Sequence, residues 1–391
     1  MEPPADSITA GPGGRVPTNC AVWSPDSAWV AFDTRSDLAG AVFDGTHIRA
    51  VNVHTREVRT LYESQNGACC GVVTWHPTLM RVAFILGPEH PTPEWDYGAA
   101  RRQGVTVDFD RPGVATRLDA RDLTRTTPGA LRGGSHVHVW HPGGELVSFT
   151  YEDAVPADGL RTIGVSICGR PVTVPTTHPR NHDGSAFSVL VPHVTADPRP
   201  GSDDVGRACE EGWVGTSRTL AFQGTVLTAD GRRVPEVFVV DVPAAAGGPP
   251  NRPVGADQRR LTRGGVGGPR HWLRSDPAGT RVGFLRPDVA GVAQFWAVTL
   301  AGESRQITRL AAGVSSAFTW HPDGRRVAFV TGGRVGLCDT ATGAVQPLTP
   351  PGQPDHAPRP EACVVSPDGR RVAFVRHLGG SNQVCVAEVP S

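Results

Sequence analysis

Trp320-His321-Pro322-Asp323-Gly324, followed one residue later by Arg326-Val327-Ala328-Phe329, is a tight turn feeding a short apolar strand. Proline presets φ at the first turn position, aspartate bonds the local backbone, and glycine accepts positive φ. The Val-Ala-Phe run suits a strand buried on both faces. The unit recurs as Trp23-Ser24-Pro25-Asp26-Ser27 before Trp29-Val30-Ala31-Phe32, and as Trp75-His76-Pro77 before Arg81-Val82-Ala83-Phe84. It returns as Trp140-His141-Pro142-Gly143-Gly144 before Leu146-Val147-Ser148-Phe149, and as Asp276-Pro277-Ala278-Gly279 before Arg281-Val282-Gly283-Phe284. The last copy is Ser366-Pro367-Asp368-Gly369 before Arg371-Val372-Ala373-Phe374. Several copies continue into a third strand, such as Val237-Phe238-Val239-Val240, and a fourth edge, such as Arg305-Gln306-Ile307-Thr308. Four strands in roughly 45 residues make the blade of a β-propeller.

Six copies are clear, and the segment from about 178 to 262 decides the total. Read as one blade with a loop insertion around 198–212, it gives seven blades; read as two, it gives eight. Seven is favoured. The final repeat stops one strand short, and an N-terminal strand near Ser7-Ile8-Thr9 would complete it and lock the ring. At 391 residues two or three domains would be the default, but repeats add units around one axis, so 1–391 reads as a single all-β domain.

Composition narrows the function classes. The 38 basic residues balance 38 acidic ones and all are arginine, so no basic face for nucleic acid is indicated. No apolar run reaches the roughly 18 residues of a membrane-spanning helix, and Met1–Asp6 has no signal-peptide character, so a cytoplasmic protein without membrane association is expected. The eight cysteines form no CxxC pair and read as small buried hydrophobes. Without lysine there is no Walker-type phosphate loop, and no Gly-x-Ser-x-Gly elbow is present.

The repeats resemble those of TolB-like and prolyl-oligopeptidase-type propellers. The stretches Leu131–Val139 (LRGGSHVHV), His178–Gly184 (HPRNHDG), Pro198–Asp203 (PRPGSD), Gly212–Gly215 (GWVG) and Gly268–Trp272 (GPRHW) go further and are similar to the YidR-like bacterial family. That resemblance covers nearly the whole chain and implies the fold, without an activity.

Counting back from the final Phe of each second strand places Asn19, Gly71, His136, His271, Ser316 and Glu361 in one column. Two residues later the column reads Ala21, Val73, His138, Leu273, Phe318 and Cys363, with His178 near it for the inserted blade. His136, His138, His271, His178 and His182 therefore fall near one end of a central funnel, and a period-2 strand would put His136 and His138 on one side. Imidazoles so gathered suit a divalent metal such as manganese, zinc or iron. The competing reading is that histidines at strand ends bond backbone groups. His76, His141 and His321 occupy turn positions and read as structural; Trp23, Trp75, Trp140 and Trp320 read as inter-blade packing. Asp203-Asp204 and Glu210-Glu211 fall in the insertion and could supply carboxylates, with solvated loop charge the safer reading.

Oligogalacturonate lyases share this repeat type, and His136-Val137-His138 with Tyr151-Glu152 is similar to them in outline. The resemblance implies a propeller channel holding a divalent metal on histidines; no matching glutamine ligand is found. In an elimination of that kind, Arg132, Arg180 or Arg270 would grip a uronate carboxylate in a fork and a histidine would take the proton. Two classes stay open. One is a ligand- or metal-binding propeller acting on an anionic oligosaccharide as a lyase; the other is a non-catalytic platform for protein partners.

Overall fold

The repeated turn hands the chain from the innermost strand of a sheet to the second, and the same meander is laid down seven times. The computed structural model describes residues 6–155, 160–244, 253–267, 273–352 and 354–390. Its sheets span 14–63, 70–117, 133–190, 207–260, 274–306, 319–347 and 358–388, and form a seven-bladed propeller. Six sheets have four antiparallel strands in sequence order and the seventh has three. Asp6–Thr9 lies along the outer edge of blade seven: Ile8 N–H donates to Val384 O at 2.9 Å, and Val386 N–H to Asp6 O at 2.8 Å. The ring thus closes with the N-terminal segment, as the sequence implies. Among the described residues no helix is long and apolar enough to cross a membrane.

Blade four divides differently from the expectation. Gly184–Leu190 is the outer strand of blade three, and Arg207–Trp213 is the inner strand of blade four. Residues 191–206 therefore connect two blades, and the second half of the expected 198–212 insertion is strand. The run Cys209-Glu210-Glu211 looks like loop because of its charge, yet Ala208, Glu211 and Trp213 are buried. A further feature has no counterpart in the repeat pattern. Between blades two and three, Ala120–Arg121 pairs in parallel with Ala130–Leu131 and makes a small two-stranded sheet.

The seams are built by the repeat's own residues. Phe32, Phe84, Phe149, Phe222, Phe284, Phe329 and Phe374 are all fully buried. Indole N–H groups cross between inner strands, Trp23 to Val364 O at 2.9 Å, Trp213 to Val139 O at 3.0 Å and Trp320 to Arg274 O at 2.9 Å. The turn histidines face two ways. Nδ1 of His141 accepts from Gly143 N–H at 3.0 Å, and Nδ1 of His321 from Asp323 N–H at 3.2 Å. Their Nε2 atoms meet the turn of the next blade, at Ser217 O (3.2 Å) and Gly369 O (2.8 Å). Gly369 has φ +72°, and a Cβ there would lie 2.7 Å from His321 Nε2. Gly144 stands in the same relation to His76, with φ +81° and 2.5 Å.

Gly369→Ala therefore meets both a strained φ and a tethered ring, and we expect it to cost about 2 kcal/mol in urea unfolding. A loss below about 0.5 kcal/mol would show that the turn-to-turn contact carries little of the seam.

Candidate functional site

The inner strands of blades two, three and four share an irregularity. Pairing skips between Gly71 and Thr74, between His136 and Val139, and between Cys209 and Gly212. In each bulge one non-glycine residue is left-handed: Val72 at φ 57°, Val137 at 59° and Glu210 at 56°. A β-branched residue there is strained and persists only where its surroundings over-determine it. In blade two the surroundings include Asp33, which accepts from Val72 N–H and is forked by Arg35 at 3.0 Å on both oxygens. Strain is thus gathered on one sector of the funnel.

The bulge at Val137 corrects the expectation for the two histidines. His136 pairs with Thr150 and Val139 with Ser148, so Val137 and His138 together oppose Phe149. His136 and Val139 then share a face, and His138 points to the other. There it packs 6.2 Å from the Phe149 ring, with Nε2 3.1 Å from Ser135 Oγ and 3.9 Å from Asp119 Oδ1, against Gly104 of blade two. His138 is a seam residue.

His136 has different company. It is buried, its Nδ1 has no hydrogen-bond partner, and the guanidiniums bearing on it are those of Arg102 and Arg161 and, after the neighbouring His138, Arg207. Burial first, then these guanidiniums, hold its imidazole well below the usual histidine range, so it is neutral at pH 7. Arg161 donates to Glu152 at 2.6 Å, while Arg207 forms no ion pair among the described residues. Arg102 lies over the Tyr97 ring at 5.0 Å and its Nε is unpartnered; Tyr97 in turn stacks on Phe43 at 4.8 Å.

The loop carrying Arg102 is pinned from two sides. Buried Arg121 donates to Gly133 O at 3.2 Å, to Arg101 O at 3.2 Å and to Arg102 O. Arg180 donates to Glu89 O at 2.6 Å and His90 O at 2.9 Å. Arg180, expected to grip a ligand, is thus engaged in holding the loop. Arg132 stands at the head of the inner strand of blade three, 3.8 Å from Asp153.

His178 and His182 lie between the third and fourth strands of blade three, so His178 does not occupy the blade-four column; Cys209 and Glu211 do. His178 Nδ1 accepts from Arg180 N–H at 3.1 Å. His182 exchanges backbone hydrogen bonds with Arg121, and burial with Arg121 and Arg117 pushes its imidazole down to about 3. Arg270 and His271 lie outside the described residues. Among the described residues no group of three or more His, Cys, Asp or Glu is arranged to hold an ion. Among the described histidines the set does not gather around one ion, because the bulge splits His136 from His138, and His178 and His182 sit elsewhere.

Glu211, expected as solvated loop charge, is instead 1% exposed. Its Oε2 accepts from Thr150 Oγ at 3.0 Å, and its Oε1 has no partner. Burial pushes its carboxyl up to about 7, against the Thr150 hydrogen bond and with Glu210 adding repulsion. The signal for it lies in the repeat. Counting back from Phe222, as for the other blades, lands on Cys209 and Glu211. No spacing rule reaches Arg102, Arg161 or Arg207, which come from a loop, a third strand and a strand start.

Fold and sector together define a β-propeller whose blades two to four carry inner-strand bulges beside the buried His136 and Glu211. The YidR protein of Escherichia coli (strain K12), described as uncharacterised, is 43% identical over 397 residues and covers 94% of each chain. The chain belongs to the YidR family. The family described as "Protein of unknown function (DUF3748)" matches residues 69–182. Among solved structures, an oligogalacturonate lyase from Vibrio parahaemolyticus is similar over 98% of this chain and 93% of its own, with TM-score 0.56 at 10% identity. The propeller domain of the Trilobed protease from Pyrococcus furiosus is similar over 92% and 90%, with TM-score 0.53 at 10% identity. These likenesses are of fold.

The buried groups fix a pH response. His136, His138 and His182 are held neutral when folded, so below about pH 6.5 the unfolded chain binds more protons. Each then lowers the unfolding free energy by up to about 1.4 kcal/mol per pH unit as pH falls. Glu211 runs the other way: its contribution is complete below 4.5 and lost as pH rises through about 7. In urea unfolding from about pH 5 to 8, His136→Gln should flatten the acid side and Glu211→Gln should remove the opposing loss. Wild-type slopes in both variants would contradict these assignments.

Proposed function

We propose that this chain is a ligand-binding propeller whose blade two-to-four sector takes an anionic saccharide, with the ligand's carboxylate beside His136. The observation that carries this reading is a buried imidazole with a free Nδ1 among three arginines. Glu152 offsets Arg161 alone, and a carboxylate or phosphate is the group that would pair with the other two. Arg102 and Arg207 are the two grips, since neither has an ion-pair partner among the described residues, and Arg161 is shared with Glu152. The likeness of fold to an oligogalacturonate lyase supports carboxylated oligosaccharides as the first class to test. The chemistry in view is elimination beside the carboxylate, with no step assigned to a metal.

Calorimetric titration with trigalacturonate, set against an uncharged trisaccharide, tests this. Arg102→Gln and Arg207→Gln should each weaken trigalacturonate binding about tenfold, or about 1.4 kcal/mol. Arg232→Gln, on an exposed hairpin of blade four, should leave binding unchanged. Equal binding of charged and uncharged sugars, or binding of neither, would overturn the reading and turn attention to protein partners.

A further inference from the structure

The seam between blades three and four contains a chain of groups that anion binding does not use. His136 and Thr150 are directly paired across the first two strands of blade three, so their side chains share a face. Thr150 donates to Oε2 of Glu211 on the inner strand of blade four at 3.0 Å. The carboxyl thus stands one side chain away from the imidazole that the anion would neighbour. Its second oxygen is buried and unpartnered, which in a native structure calls for an explanation. Backbone geometry fixes the group in place. Glu210 is left-handed, and a Cβ on Gly212 would lie 2.4 Å from Leu273 O, so blades four and five meet backbone to backbone beside it. From blade five, Arg274 donates to the carbonyl oxygens of Glu211 at 3.2 Å and Leu273 at 2.6 Å.

Resting on the anionic-saccharide reading above, we propose that Glu211 is the proton-transferring residue of this seam. Its carboxylate takes the proton from the carbon beside the ligand's carboxyl group. The C–H electron pair moves first into that carboxyl group, facing the arginines, and then forms a C=C bond as the bond from the next carbon to the glycosidic oxygen breaks. The departing oxygen takes the proton back from Glu211. One sugar chain becomes an unsaturated uronate and a new hydroxyl end; no oxidant, reductant or water is consumed, and Glu211 ends as it began. A carboxyl that ionises near neutral pH is matched to this work. Thr150 acts through Glu211 and is a positioning residue.

The test uses the full chain with trigalacturonate, following binding by calorimetry and turnover by the absorbance of the new C=C bond. Wild type should bind and eliminate, with a rate that climbs as pH rises through about 7, set by Glu211 among Thr150, Glu210, Arg274 and the nearby Arg161. Glu211→Gln should bind within about threefold of wild type and lose at least about 100-fold in rate. Thr150→Val keeps the carboxyl but removes the hydrogen bond that favours its charged form, so the rising limb should move to higher pH. Wild-type turnover in Glu211→Gln, or an unmoved limb in Thr150→Val, would overturn the assignment. So would a wild type that binds yet gives no unsaturated product and no solvent deuterium beside the carboxylate. A wild type that does not bind removes the ligand class, and this role with it.

Discussion

In this ring of seven sheets the last is joined to the first, and the placing of the inner strands rests on that closure. The joint is made at three radii. Trp23 Nε1 donates to Val364 O near the axis. Asp368 N–H donates to Ser27 Oγ at 3.2 Å between neighbouring turns. At the rim Asp6–Thr9 completes blade seven, with Arg376 held to Asp6 at 3.1 Å. A closed ring over-determines the position of each inner strand. That is the condition under which a left-handed valine persists, and Val72 and Val137 are both inner-strand residues.

Those strained positions turn a repetitive scaffold into one with a sector. In blade three the bulge sends His138 into the seam and leaves His136 among guanidiniums. In blade four the equivalent bulge brings Glu211 to Thr150. The same physics acts on both groups with opposite results. Burial disfavours whichever form is charged, so the imidazole stays neutral and the carboxyl holds its proton longer. The neutral imidazole and the carboxyl flank Thr150, which pairs with His136 across the strands and donates to Glu211. Arg121 and Arg180 brace the neighbouring loop. They satisfy the carbonyls of the loop that presents Arg102, at the expense of their own availability.

The architecture was readable because each blade restates the same turn and the same buried Phe, so seven weak signals add. The site was only half readable. His136 stood out because the column placed it at the funnel, but its pairing with His138 rested on strand alternation, and one left-handed residue reverses that. Glu211 was masked by its own charge: counting back from Phe222 reaches it, but Cys209-Glu210-Glu211 has no apolar pattern, and the register against Ala221 and Gln223 shows it to be strand. Arg132 and Arg180 were singled out for their neighbours in sequence, whereas the arginines that bear on His136 come from three separate elements. Charge convergence of that kind is a tertiary property, and no local spacing encodes it.

The central claim is that burial, together with neighbouring positive charge, keeps His136 neutral, and that a bound anion relieves that charge. NMR titration of the His136 imidazole, assigned by comparison with His136→Gln, reads this directly. The account predicts that free protein keeps this ring uncharged well below pH 6.5, and that saturating trigalacturonate raises its ionisation upward. A ring that titrates like an exposed histidine, or one that ignores the added anion, would contradict it.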